Sequence, residues 1–201
     1  MKAHIYPLQQ GVGGAGETAR LRTQTRKADT IKHKGKKLKD ILEAHEKFHK
    51  GHPGGERADL CGADLSGADL KKRDLTGANM VGCNLQKADL RGSKLSFADL
   101  SKADLRKADL RNCDFTETKL EGADLSEADL SGTELFRGDL RSAKLHKTIL
   151  RGTVLRQAIL RGADFSGSDL ALASFREIDL TDVKMDGADL KDAVVRDNRK
   201  G

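Results

Sequence analysis

The stretch His45-Glu46-Lys47-Phe48-His49 sets two imidazoles one helical turn apart, with a carboxylate beside the first and His52 three residues further on. In that HExxH spacing the histidines hold zinc, a third ligand completes the site and Glu46 serves as general base. The chemistry also needs a substrate cleft, and the chain before residue 58 is too short to build one. His45 lies on the apolar face of any helix formed here, and Phe48 between the histidines points to packing. The expectation is a packed helix with His49 exposed and no catalysis. Gly11, Gly13 and Gly16 spell a dinucleotide-binding loop, but only Ile5-Tyr6-Pro7-Leu8 precedes them and no βαβ unit follows, so a flexible linker is the reading. Cys61, Cys83 and Cys113 are odd in number and lack metal-type spacing, which suits a reducing compartment. No Ser/His/Asp set is visible, and no catalytic residue, metal or cofactor is expected.

Composition sets the frame for these residues. Hydrophobic residues are 37% of the 201, aromatics 3% and charged residues 34%, with no Trp, so an ordinary globule packed around large rings is excluded. No apolar run is long enough for a membrane span or a signal peptide, and a soluble cytoplasmic protein is the expectation. The net charge of +6 is uneven. Residues 1–57 hold 13 Lys/Arg against 6 Asp/Glu, and residues 58–201 hold 24 against 25. A basic leader thus precedes a nearly neutral body. Residues 1–35 have little to bury and read as flexible. In residues 36–57, Leu38, Ile41, Leu42, His45 and Phe48 recur at helical spacing before Gly51, Pro53 and Gly54 stop the helix. This helix is expected to cover the apolar end of the body, as terminal caps do in solenoids.

The body, residues 58–197, is a repeat, followed by a short tail at 198–201. From Leu60 to Leu190 every fifth residue is Leu, Met or Phe, 27 times without a miss, and Val195 extends the series. Leu60, Leu65, Leu70, Leu75, Met80, Phe115, Phe165, Phe175 and Leu190 are among these centres. Two residues before each centre stands a small residue, larger only at Arg73, Ile178 and Val183, and just before it usually Asp or Asn. A period of five makes no stripe on an α-helix and alternates faces on a flat strand. The chain must therefore bend once per repeat, so that each large residue and its small partner face one axis while backbone groups pair with the turns above and below. An all-β solenoid follows, in which Cys83 and Cys113 occupy inward slots as inert core and Cys61 points outward.

Ala63-Asp64-Leu65-Ser66-Gly67 and Ala123-Asp124-Leu125-Ser126-Glu127 closely resemble the A(D/N)LXX unit of the pentapeptide-repeat family, and the resemblance covers about 70% of the chain. It implies a right-handed quadrilateral β-helix with four repeats per coil. Twenty-eight repeats then give about seven coils, a rod roughly 30 Å long at ~4.8 Å per coil. Some members of the family are DNA mimics that bind and protect DNA gyrase. Duplex DNA carries one charge per ~1.7 Å, so a mimic of this length would show roughly −18. The near-neutral body departs from that, and its uninterrupted repeats depart from members that act through projecting loops.

On such a rod, residues twenty apart stack. Asp69, Asp89, Asp109 and Asp129 run beside Lys71, Arg91 and Arg111, either as a self-compensating lattice or as a docking face for a charged partner. Ile149, Val154 and Ile159 replace the expected Asp in three consecutive repeats, each followed two residues on by Arg151, Arg156 or Arg161. Phe97 and Phe136 fall outward on the side of Val154. Exposed apolar residues interleaved with Arg mark interfaces, so this belt is the expected contact with a protein partner whose identity is open. Arg73, a charge in an inward slot, is expected to reach out of the rod end to Glu43 or Glu46. The basic stretch 20–50 offers a second contact, with nucleic acid or an anionic surface. The apolar final coil offers end-to-end pairing of two copies, an expectation that a monomer in light scattering would remove.

Overall fold

The computed structural model describes residues 25–196. In the body the centres repeat one pattern. The Leu60 N–H donates to the Asn79 carbonyl at 2.7 Å and the Asn79 N–H to Ala58 at 2.9 Å, a parallel bridge between Asp59 and Asn79. Bridges between residues twenty apart repeat along the chain as far as Asp169 and Asp189. Between bridges the chain turns. Ala63 N–H donates back to Leu60 at 2.9 Å, and the residue before the small one has positive φ at every corner from Gly62 to Asp192. Positive φ at that single position defines a type II turn. Glycine takes eleven of these corners, but side chains as large as Phe97 (φ 59°) and Leu172 (φ 62°) take others, a conformation bulky residues rarely adopt.

The bends aim the centres inward. Leu60, Leu65, Leu70, Leu75, Met80, Phe115, Phe165 and Phe175 are buried in one continuous core with the small residues beside them. Where the small residue is Thr, its hydroxyl finds a carbonyl: Thr118 donates to Leu95 at 2.7 Å, Thr148 to Leu125 at 3.0 Å and Thr153 to Leu130 at 2.9 Å, all on the coil before, and Thr133 to Leu130 of its own turn at 2.8 Å. A buried hydroxyl is tolerated on that condition. Leu190, expected among the core centres, is 42% exposed, because no described coil lies beyond it. Continuous strands form late on one side, where Ser174–Arg176 pairs in parallel with Val194–Arg196.

The other end is more built than the sequence indicates. Residues 25–35, assigned to a flexible leader, are ordered against the first coil, while residues 1–24 lie outside the described residues. Arg26 N–H donates to Gly67 at 2.7 Å and Asp69 N–H to Arg26 at 3.0 Å, extending the ladder by one bridge to Ala68. Ile31 is buried. A short hairpin then joins Lys32–His33 to Lys36–Lys37 through Lys34 and Gly35, both with positive φ, the type I′ turn that matches hairpin twist. A helix, α1 (Leu38–His49), follows and buries Leu38, Ile41, Leu42 and His45. Phe48, expected on that packed face, is 47% exposed, its ring parallel to that of His45 with centroids 6.2 Å apart. Arg73 makes no ion pair among the described residues. It is exposed, and Glu43 pairs with Lys39 at 3.7 Å and Glu46 with Lys50 at 2.6 Å, while the Arg73 charge adds, at longer range, to the lowering of the Glu46 carboxyl.

Candidate partner-binding surface

The HExxH residues are occupied by packing. His45 is buried, and its Nδ1 accepts the Ala58 N–H at 3.0 Å, tying the helix to the first coil. Burial pushes its imidazole below the usual pKa of 6.5, and the neighbouring His49 adds to the effect. His49 is exposed, with Nε2 2.8 Å from the Thr76 carbonyl. No group of three or more His, Cys, Asp or Glu side chains among the described residues is placed to hold a metal. The glycine motif at 11–16 lies outside the described residues. Cys83 and Cys113 are buried and Cys61 is exposed. Burial pushes the Cys83 thiol up to about 12, far from a reactive thiolate.

The outer surface follows one local rule. The Asp before each centre accepts the backbone N–H two residues on: Asp64 from Ser66 at 3.1 Å, Asp114 from Thr116 at 2.9 Å, Asp164 from Ser166 at 2.9 Å. Where that second residue is Arg, its guanidinium also closes on the same carboxylate as a two-point fork. Arg91 meets Asp89 at 2.9 and 2.7 Å, and Arg106 meets Asp104 at the same distances. Arg111 and Arg141 repeat the fork on Asp109 and Asp139. Such charge-assisted pairs fix both partners. The Arg106 guanidinium holds the Asp104 carboxyl below the usual carboxylate range, and Arg141 does the same for Asp139. The acidic and basic columns therefore neutralise each other within a repeat.

The belt breaks the rule. Ile149, Val154 and Ile159 are exposed, and the arginines two residues on have lost the carboxylate of their own repeat. They reach instead to the next coil: Arg151 to Asp169 at 2.5 Å, Arg156 to Glu177 at 3.1 Å and Arg161 to Asp182 at 4.0 Å. The Arg161 side chain is 83% exposed. Phe136 is half-buried rather than open. Arg137 lies 4.9 Å and Arg156 5.8 Å from its ring centre, a cation–π sandwich. Phe97 is 58% exposed. Beside Ile159 a cleft of about 560 Å³ opens between residues 157–161 and 177–182.

Two neighbours of this surface carry no signal in the five-residue pattern. Leu172 is 63% exposed at a corner position where any residue type occurs. Arg176 follows Ser174 instead of Asp, and it has no ion pair among the described residues. The missing Asp was the available clue. The leader's cations are more committed: Arg26 pairs with Asp64, Lys34 with Asp59 and Lys36 with Glu56.

A parallel solenoid with one inward Leu-type residue in every five defines a narrow class. The model of pentapeptide repeats matches residues 56–92, 93–132, 139–176 and 158–197, and the chain belongs to the pentapeptide-repeat family. Among solved structures it is similar to HetL, a pentapeptide repeat protein involved in heterocyst differentiation regulation from the cyanobacterium Nostoc, at 32% identity over 68% of this chain and 82% of that one, TM-score 0.30. It is similar to a trypsin-treated variant of QnrB1, a plasmid-mediated fluoroquinolone resistance protein, at 28% identity over 68% and 69%, TM-score 0.38. A second Nostoc pentapeptide repeat protein, alr5209, is 26% identical over 72% and 94%, TM-score 0.28. No curated protein matches. No helix among the described residues is long and apolar enough to cross a membrane.

Proposed function

We propose that this chain is a non-enzymatic protein-interaction scaffold: a right-handed rod of about seven coils, capped at its start by α1 and bound by a partner protein at the belt. One observation carries the reading. In three consecutive repeats a β-branched apolar residue stands where the fold's own rule asks for Asp, leaving Ile149, Val154 and Ile159 in solvent and three arginines without their in-repeat partner. The fold gains nothing from this, whereas exposed apolar residues set among arginines are what interfaces use. Three exposed β-branched residues accompany the belt arginines, against Phe48 alone among the described residues of the basic stretch 20–50, and this favours the belt as the contact. The near-balance of 24 Lys/Arg and 25 Asp/Glu in residues 58–201 favours it over mimicry of DNA towards gyrase.

The test is affinity capture from the native cell with the full chain and with an Ile149→Asp/Val154→Asp/Ile159→Asp variant. Asp at these positions restores the turn's own hydrogen bond, so the variant keeps its fold and thermal midpoint. The expected result is a partner recovered with the parent and lost with the variant. Equal recovery with both contradicts the belt.

A further inference from the structure

The belt's chemistry also defines what binds it. Resting on the scaffold reading above, we infer that the partner presents an acidic, apolar-studded polypeptide segment, and that it lies along the side of the rod carrying Val154. Among the repeats centred from Leu60 to Leu190, four place Arg two residues after a position that is not acidic: Ile149 before Arg151, Val154 before Arg156, Ile159 before Arg161 and Ser174 before Arg176. Elsewhere the same spacing closes an Asp–Arg fork, as at Asp89 and Arg91 or Asp139 and Arg141. These four guanidinium groups stand at the fork position without a carboxylate in their own repeats; three of them reach a single carboxylate of the next coil, and Arg176 pairs with none among the described residues. A partner that brings carboxylates to them completes the fork, the strongest form of this ion pair.

Two of the four, Arg156 and Arg176, stack one coil apart on the same side, and Arg176 has no ion pair among the described residues. Val154 is exposed beside Arg156, and its bridge to Ser174 sets the register with the coil of Arg176. Leu172 projects at the adjoining corner, 63% exposed at φ 62°. Glycine takes that turn position at many other corners, and at Gly62 and Gly152 a side chain would meet nothing within 4 Å. A leucine there gains no burial at a turn that glycine fills at least cost, and it leaves its apolar side chain open to a partner. Around the ring the charge agrees. Residues 137–161 hold seven Lys/Arg and one Asp/Glu, against one and seven in residues 114–134. The ring at this level therefore carries a local excess of cations, and its Val154 side adds the apolar anchors.

Fluorescence anisotropy with the full chain tests this directly. The probes are a short labelled peptide alternating Glu with Leu, its Lys-for-Glu counterpart, and a labelled DNA duplex. The Glu peptide is expected to bind, and the Lys peptide and the duplex to bind more weakly. Arg156→Glu/Arg176→Glu is expected to lose at least about tenfold in affinity for the Glu peptide and to gain affinity for the Lys peptide. Leu172→Gly, which relieves the corner, is expected to weaken the Glu peptide while raising thermal stability. Equal binding of both peptides, tighter binding of the duplex, or an unchanged affinity in the double Arg variant overturns the inference. If the belt variant loses its captured partner while the Glu peptide fails to bind the parent chain, the scaffold reading stands and this inference falls.

Discussion

Phe115→Ala lowers the stability of the rod by about 3–5 kcal/mol, the range for truncating a buried aromatic ring. Phe115 is wholly buried at the level where the core is deepest in the rod, with coils on both sides. The coil spacing is fixed by hydrogen bonds such as Phe115 N–H to Glu134 at 2.8 Å and Asp114 N–H to Ser93 at 3.1 Å. Neighbouring coils therefore cannot close in on the space left behind, and the cavity persists. Phe136→Ala is the internal control. Its ring lies outside the ladder between Arg137 and Arg156, and its loss is expected to cost under about 1 kcal/mol, within reach of ordinary surface substitutions. Urea denaturation followed by far-ultraviolet circular dichroism reads both. Equal midpoints for the two variants contradict the assignment of inward and outward positions.

Ala123→Leu is expected to be nearly as damaging, for the opposite reason. Ala123 is buried and closes its corner by donating to Leu120 at 3.0 Å. Ala103 and Ala143 occupy the same slot one coil below and one above, at a spacing of ~4.8 Å. Three added carbons have no free volume there, and overpacking a fixed core costs typically 1–3 kcal/mol or more. The sequence obeys this limit. The slot holds a residue larger than Thr only at Arg73 in the first coil and at Ile178 and Val183 in the last, where one neighbouring coil is missing or the side is open. Thermal unfolding is expected to show a lowered midpoint for Ala123→Leu and little change for Val183→Leu. The reverse order contradicts the small-residue slot.

The rod was legible because its information is periodic. A centre every five residues with a small residue two before it fixes which side chains face inward, and Leu65, Phe115 and Phe165 all follow that pattern. The helix was legible as a period of 3.6, with Leu38, Ile41, Leu42 and His45 buried. What escaped lacks a period. The order of residues 25–35 rests on one buried Ile31 and on backbone bonds from Arg26 to Gly67 and Asp69, which no side-chain pattern announces. Phe48 shares the helical spacing of the buried face but lies at its margin, and Leu190 has the right residue type at the end of the stack, where position decides exposure. The Asp–Arg forks require knowing that residues two apart point outward side by side. Once that is known, the four arginines without an acidic neighbour, including Arg176, can be read from the letters alone.

The stacking of residues twenty apart underlies every statement about the core, the forks and the belt, and oxidative cross-linking measures it most directly. In a Cys61→Ser background, Ser126→Cys/His146→Cys places two outward thiols on adjacent coils, where Glu127 N–H donates to the His146 carbonyl at 3.0 Å. Their backbones lie ~4.8 Å apart, inside the range of roughly 4.4–6.8 Å that a disulfide spans. A companion pair, Ser126→Cys/Ser131→Cys, is five residues apart and faces two different sides of the rod. Rapid disulfide formation in the first pair and none in the second is the predicted result; bonding in the second pair alone would contradict the solenoid.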